Sequence, residues 1–157
     1  MFTVFSRLSE KEIVPRKKQG SESSPVFSFQ YAFSHGRTAL KYGLLSLSLK
    51  KGDKILVPEF ICIEALEPLR QLELTPVFFS VTENLEPDWI RLEKIVNSEI
   101  KSILMVHYFG QPQNIGRFMS FCQQHQLFLI EDNAHGLGAH SQNRPLGTVG
   151  DVGIASP

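Results

Sequence analysis

The chain has 157 residues with 16 basic and 16 acidic side chains, and this zero net charge gives no support for a protein that binds nucleic acid or membranes. Its 42% hydrophobic and 20% charged content is that of a globular domain, and no apolar run is long enough to cross a bilayer. The N-terminus lacks the pattern of a secretory signal, and the two cysteines, Cys62 and Cys122, lie in unlike contexts. We therefore expect a soluble, cytoplasmic protein.

Residues 1–25 are polar and poorly patterned, which predicts a flexible or irregular N-terminal arm before a domain over residues 26–157. From there on, helical and strand patterns alternate. Helices are predicted around residues 40–49 and over 63–72, 88–96 and 115–125, and apolar strands over 54–57, 76–81, 102–107, 127–130 and 152–155. Strands that are apolar on both faces and alternate with helices predict an α/β fold, a three-layer, mostly parallel sheet covered by helices. Ligands of such sheets bind beyond the carboxyl ends of the strands.

The first candidate site is the start of the first predicted helix, in the segment SHGRTAL. Gly36, Arg37 and Thr38 lie where unpaired backbone N–H groups and the positive end of the helix dipole attract phosphate. A capped helix start without any ligand explains the same residues, so both interpretations stay open.

The second candidate site is the strand end in LFLIEDNAHGLGAH, residues 127–140. A carboxylate such as Asp132 at the end of a buried strand is unfavourable unless something pairs with it. A cationic cofactor ring nitrogen is one partner, and the N–H groups of a following helix, capped by Asp132, are another. A metal is the third, since His107, His135 and His140 are also ligand-type side chains, but no zinc spacing is present.

Histidine and cysteine are two other residue types that could take part in chemistry. His107, at the end of a predicted strand in the segment HYFGQP, is either a substrate-side residue or a hydrogen-bonded structural one. Cys62 and Cys122 have no nucleophile motif around them, which argues against cysteine catalysis.

Taken in order, six segments resemble the DegT/DnrJ/StrS family of pyridoxal-phosphate-dependent aminotransferases, which act mostly on nucleotide sugars and have the aspartate-aminotransferase fold (fold type I). The segments are HGRTAL, KGDKILVPEF, PVFFSV with NLEPD after it, ILMVHYFGQP, LIEDNAHGLGA and LGTVGDVGIAS. Their order and spacing together are much more specific than any one of them. The resemblance implies that residues 26–157 are the N-terminal part of the large, cofactor-binding domain of such an enzyme.

The resemblance implies a pyridoxal 5'-phosphate site and no metal. Gly36 and the backbone around Arg37 and Thr38 would hold the cofactor phosphate, in agreement with the anion site inferred above. Ser156 would be a further phosphate ligand.

For the cofactor ring, the resemblance implies that Asp132 pairs with the pyridinium nitrogen and that His135 lies close to the ring hydroxyl. The family commonly stacks an aromatic side chain on the ring from the segment after VP. In this chain that position falls near Cys62, with Phe60 two residues earlier.

The implied reaction moves an amino group from a small-molecule amino donor to a keto sugar, in a homodimer if the enzyme is full length. The family's Schiff-base lysine lies a few residues beyond the serine that Ser156 matches, and the chain ends at Pro157. We therefore expect a truncated chain without the catalytic lysine and the C-terminal small domain, inactive alone.

Other functions are also compatible with the sequence. The chain is alternatively a non-catalytic cofactor-binding module or a degenerate fragment. It is also compatible with a sugar dehydratase-like relative, because some family members have histidine in place of the lysine. A metal-dependent hydrolase from outside the family is a distant fourth interpretation.

Overall fold

The computed structural model describes residues 2–6 and 31–156. The described strands are β1 (Phe2–Ser6), β2 (Tyr31–Phe33), β3 (Lys54–Pro58), β4 (Thr75–Phe79), β5 (Ile100–Val106), β6 (Phe128–Asn133), β7 (His140–Ser141), β8 (Arg144–Pro145) and β9 (Val152–Ala155). The described helices are α1 (Gly36–Ser46), α2 (Glu67–Gln71), α3 (Trp89–Ile95) and α4 (Ile115–His125), with 3-10 turns at Ile63–Ala65 and Tyr108–Gly110.

Seven of these strands form one sheet in the order β2-β1-β9-β6-β5-β3-β4, and β7 and β8 form a separate hairpin. The strands from β9 to β4 run parallel, whereas β1 runs antiparallel to both of its neighbours. Consecutive strand residues point to opposite faces, so the continuously apolar strands fill a core on each side. The predicted α/β fold with a mostly parallel sheet is confirmed.

Helices cover both faces of the sheet and give it three layers. On one face, α1 and α2 bury Leu40 and Leu69 against the strands. On the other face, α3 and α4 bury Trp89 and Phe118. Each core is continuous across several strands, so the middle of the described sheet is shielded from water.

The helix boundaries follow from their capping residues. Asp88 accepts a hydrogen bond from the Arg91 N–H at the start of α3, and Asn114 accepts one from the Arg117 N–H at the start of α4. The helix predicted over residues 63–72 is instead a 3-10 turn followed by the short α2. Pro68 lies at the boundary, and its missing N–H removes a hydrogen bond that a continuous helix requires.

The N-terminal segment differs from its prediction. Phe2–Ser6 forms β1, between β2 and β9, and is not part of an irregular arm. Its sequence FTVFS is rich in aromatic and β-branched residues, which favour strands. The rest of the predicted arm lies outside the described residues, and the domain boundaries stay a prediction. No helix in the described ranges is both long and apolar enough to cross a membrane.

β6 extends three residues beyond its predicted end and closes at Asn133. Glu131 and Asp132 are therefore strand residues, paired with β5 on one side and β9 on the other. Because neighbouring strand residues point to opposite faces, these two carboxylates lie on opposite sides of the sheet.

Candidate functional site

Two adjoining clefts open at the carboxyl ends of the parallel strands. Their cavity volumes are about 230 and 320 Å³, near the lower end of the range usual for small-molecule sites. Cys62, Asp132 and Ala134 line both clefts, so these three residues lie where the two join. The structure thus brings together Asp132 from β6 and Cys62 from the loop after β3, which the sequence had assigned to one site.

The first cleft ends at the N-terminus of α1. Gly36 and Arg37 line it, and the carbonyl of His35 before them accepts the N–H groups of Thr38 and Ala39 at 3.1 Å each. Thr38 is half-buried in the first helical turn and does not line either cleft. The N-terminus of a helix attracts anions through its free N–H groups and its dipole, so this end of the cleft suits a phosphate group.

Arg37 provides the positive side chain at this end of the cleft. Its guanidinium Nη1 lies 2.8 Å from Glu64 Oε2, and both side chains are largely exposed, at 43% and 63%. Both residues line the first cleft. A bound anion would therefore compete with Glu64 for the guanidinium.

Asp132 is the buried acid of the site, with 8% of its surface exposed. The Ala134 N–H donates to its Oδ1 at 3.0 Å, and this is the one hydrogen bond its carboxylate accepts from the described residues. Burial raises the pKa of Asp132, while the Ala134 N–H acts in the opposite direction. Among the described residues its ionised form therefore has an incomplete set of partners, and it faces a cleft.

The local structure after Asp132 excludes one of the earlier interpretations. The bond to Ala134 closes a turn and the chain then enters the β7–β8 hairpin, so Asp132 does not cap a helix. The metal interpretation has no geometric support in residues 31–156, where no three His, Cys, Asp or Glu side chains are arranged to hold an ion.

The second cleft has an aromatic wall. The Tyr108 hydroxyl donates to the Phe60 carbonyl at 2.7 Å and so fixes the loop after β3. Phe109 has a left-handed backbone (φ 54°), its N–H donates to His135 Nδ1 at 3.3 Å, and its ring stacks on the imidazole. His135, Phe60 and Cys62 all line this cleft.

Ser156 and Cys122 do not line either cleft. Ser156 directly follows β9, whose Ile154 lines the first cleft. Cys122 is in α4, where burial raises the pKa of its thiol to about 12, so it is not available as a nucleophile.

The prediction of His107 as a substrate-side residue is wrong. Its side chain is fully buried, with Nε2 2.8 Å from Glu131 Oε1 and Nδ1 accepting the Gln113 N–H at 3.1 Å. The sequence had offered this structural role as the alternative. Glu131 itself was not predicted, and the signal for it was its place beside Asp132 in an otherwise apolar strand.

The sequence profile of the DegT/DnrJ/EryC1/StrS aminotransferase family matches residues 28–156. The chain belongs to this family. GDP-perosamine synthase of Vibrio cholerae is 31% identical over 124 residues, which are 78% of this chain and 34% of that protein. UDP-N-acetyl-3-dehydro-alpha-D-glucosamine 3-aminotransferase of Acidithiobacillus ferrooxidans is 33% identical over 122 residues, 77% of this chain and 33% of its own length.

A solved structure supports the same family and the predicted fold type. The E. coli GDP-4-keto-6-deoxy-D-mannose-3-dehydratase with bound hydrated pyridoxal phosphate superposes with a TM-score of 0.65 at 30% identity, covering 73% of this chain and 31% of that one. The fold is therefore that of the pyridoxal-phosphate-dependent aminotransferases. The chain spans about a third of the length of the curated relatives it matches.

Proposed function

We propose that the joined clefts bind pyridoxal 5'-phosphate and that the full-length protein transfers an amino group from a small-molecule donor to a keto sugar carried on a nucleotide. The observation that carries this proposal is the Asp132 carboxylate. It is buried at the end of a parallel strand, faces both clefts and accepts one hydrogen bond from the described residues.

Asp132 fits the ring nitrogen of this cofactor. Burial raises the pKa of Asp132, and a cationic ring nitrogen would be a positive partner for the carboxylate and would lower that pKa. Cys62 and Ala134 line both clefts beside it and would contact the ring. Gly36 and Arg37, at the start of α1, would hold the phosphate group.

Each of these residues then has a distinct task. When bound, the cofactor supplies an electron sink for the negative charge that develops at the substrate carbon. Asp132 would hold the proton on the ring nitrogen, and His135 would orient the ring through its hydroxyl. The aromatic wall formed by Phe60 and Tyr108 would exclude water from this face of the cleft.

The lysines of the described residues lie outside this site, since no lysine in residues 31–156 lines either cleft. We propose that the 157 residues bind the cofactor without a covalent bond and do not turn over substrate alone. A steady turnover by the purified 157-residue chain that is lost in Asp132→Ala would contradict this.

The cofactor site is tested by titrating the purified protein with pyridoxal 5'-phosphate and following absorbance and intrinsic fluorescence. We expect saturable binding that Asp132→Asn weakens at least about tenfold, because it removes a charge-assisted hydrogen bond. Asp88→Asn is the matched control, since asparagine caps a helix as well as aspartate does and Asp88 lies outside the clefts. Equal affinities of the protein and Asp132→Asn would refute the role of Asp132.

The substrate class is proposed from the relatives, which are named for GDP- and UDP-linked sugars. Dehydration is the second candidate, favoured by the 30% identity to a solved dehydratase. To distinguish the two reactions, the full-length gene product is incubated with a GDP-linked 4-keto-6-deoxy sugar and a panel of amino acids. The products are identified by mass spectrometry. An amino sugar supports transfer, and loss of a hydroxyl group supports dehydration.

A homodimer and a cytoplasmic location stay predictions.

A further inference from the structure

We infer that Glu131 is a positioning residue that fixes the loop of residues 147–150 and, through it, the β9 side of the cofactor cleft. The part of this inference that concerns the cleft rests on the proposed function. Glu131 itself does not line either cleft, so its effect on a ligand is indirect.

The carboxylate of Glu131 is fully buried and its hydrogen bonds are complete. Its Oε1 accepts the Gly147 N–H at 2.7 Å and lies 2.8 Å from His107 Nε2. Its Oε2 accepts the N–H groups of Val149 and Gly150 at 2.8 and 2.9 Å. One side chain thus holds three backbone groups of the same loop, and no described lysine or arginine pairs with it.

His107 holds the carboxylate from the opposite side. The Gln113 N–H donates to Nδ1, so this nitrogen has no proton and the ring is neutral. The ring proton is therefore on Nε2 and points at Glu131 Oε1. Glu131 is the acceptor of four donors, and an amide in its place would set its own N–H₂ group against at least one of them.

The loop is packed against the sheet so closely that it has little room to move. A Cβ at Gly150 would come 2.8 Å from the Leu129 carbonyl oxygen, and one at Gly153 would overlap the Gly147 carbonyl oxygen. Gly147 also has a left-handed backbone, with φ of 87°. The N–H groups can reach Glu131 because glycine allows this approach.

The loop leads directly into β9, which forms one side of the first cleft. Gly153 pairs with Glu131, and Ile154 pairs with Asp132 and lines the cleft. A displacement of the loop would therefore shift Ile154 relative to Asp132. Ser156, for which the resemblance implies a contact with the cofactor phosphate, follows two residues after Ile154.

The test compares Glu131→Gln with Glu83→Gln, a control at an exposed position, by hydrogen exchange of the cofactor-free protein. We expect the amides of Gly147, Val149 and Gly150 to exchange at least about tenfold faster in Glu131→Gln, an increase larger than that of the β3 amides. We also expect the amide resonances of Ile154 to shift. A role in global stability alone would speed exchange in β3 as much as in the loop and would overturn the inference, as would an unchanged loop.

The histidine gives a second test if Glu131→Gln does not fold. In His107→Gln the side-chain amide keeps a donor near the position of Nε2, whereas His107→Phe removes it. We expect loop exchange close to that of the unmodified protein in His107→Gln and at least about tenfold faster in His107→Phe. Equal loop exchange in the two variants would overturn the inference.

The effect on the cleft is measured by titration with pyridoxal 5'-phosphate. We expect Glu131→Gln to weaken binding about three- to tenfold and Glu83→Gln to leave it unchanged. A loosened loop with unchanged affinity would overturn the link between the loop and the cleft. If the unmodified protein does not bind the cofactor, the proposed function fails, and loop exchange and the Ile154 resonance alone decide the positioning role.

Discussion

Glu131 and Asp132 are adjacent carboxylates in the same strand, both buried, and their surroundings are opposite. Glu131 accepts hydrogen bonds from His107 and from three backbone N–H groups, whereas Asp132 accepts one from the described residues. Buried polar groups are normally fully hydrogen-bonded. The complete set around Glu131 therefore belongs to the fold, and the incomplete set around Asp132 marks the side of the strand where the proposed ligand would bind.

The pKa values of the two acids express the same difference. Burial alone would raise the pKa of Glu131, but the hydrogen bonds from His107 and from the loop amides hold it below its ordinary value. Burial raises the pKa of Asp132, and its single N–H donor does not compensate. The strand buries both carboxylates, and the hydrogen-bond partners on each face of the sheet decide whether the ionised form of each carboxylate is stabilised.

The largest expected effect comes from truncating each acid. Glu131→Ala leaves three N–H groups and the His107 ring proton without an acceptor, so we expect a loss of about 3–5 kcal/mol in the free energy of unfolding. Asp132→Ala removes an under-paired charge and should change this free energy by less than about 1 kcal/mol. Urea unfolding followed by circular dichroism measures both, and equal losses would refute the contrast between the two acids.

The contrast also predicts opposite pH dependences. The pKa of Glu131 is below its ordinary value of 4.5, so its stabilisation is present above that pH and is lost as the pH falls through the folded-state pKa. The pKa of Asp132 is above its ordinary value of 3.8, so the folded state is destabilised as the pH rises through the raised pKa.

These two pH dependences are tested by measuring the stability of variants at several pH values. We expect the stability deficit of Glu131→Gln to shrink as the pH falls below 4.5. Asp132→Asn should be more stable than the unmodified protein at pH 7, by about 1 kcal/mol, and should lose this advantage as the pH falls towards 3.8. Urea midpoints from pH 3 to pH 7 provide the measurement. If the midpoints of the two variants changed in parallel with pH, the opposite pKa directions of Glu131 and Asp132 would be contradicted.

Much of the fold could be predicted from the sequence because its parallel strands are short apolar runs between helical patterns. β3, β5 and β9 lie where the pattern placed them, to within a few residues. β1 was missed because a single FTVFS stretch separated from the other strands by a polar segment has no periodic neighbours to support it. The β7–β8 hairpin has two residues in each strand, too few for any alternation to appear.

The candidate site was predicted less completely because its chemistry depends on contacts between distant positions. The residues alone left Asp132 between an N-cap, a metal ligand and a cofactor partner, and the extension of β6 to Asn133 removes the first. His107 was misassigned because its partner Glu131 is 24 positions away. The loop that completes the set around Glu131 is a further 16 to 19 positions along the chain, and nothing local signals it.

The smallest expected effect lies at the mouth of the cleft, where the Arg37–Glu64 pair is exposed to solvent. Unlike Glu131, Glu64 competes with an incoming anion for the group it binds, so Glu64→Gln should strengthen the binding of inorganic phosphate about two- to fivefold. The gain should shrink at high salt because exposed charges are screened. Calorimetric titration with phosphate at two salt concentrations, with Glu83→Gln as the control, measures it. Weaker phosphate binding in Glu64→Gln would mean that Glu64 orients Arg37 for the anion instead of competing with it.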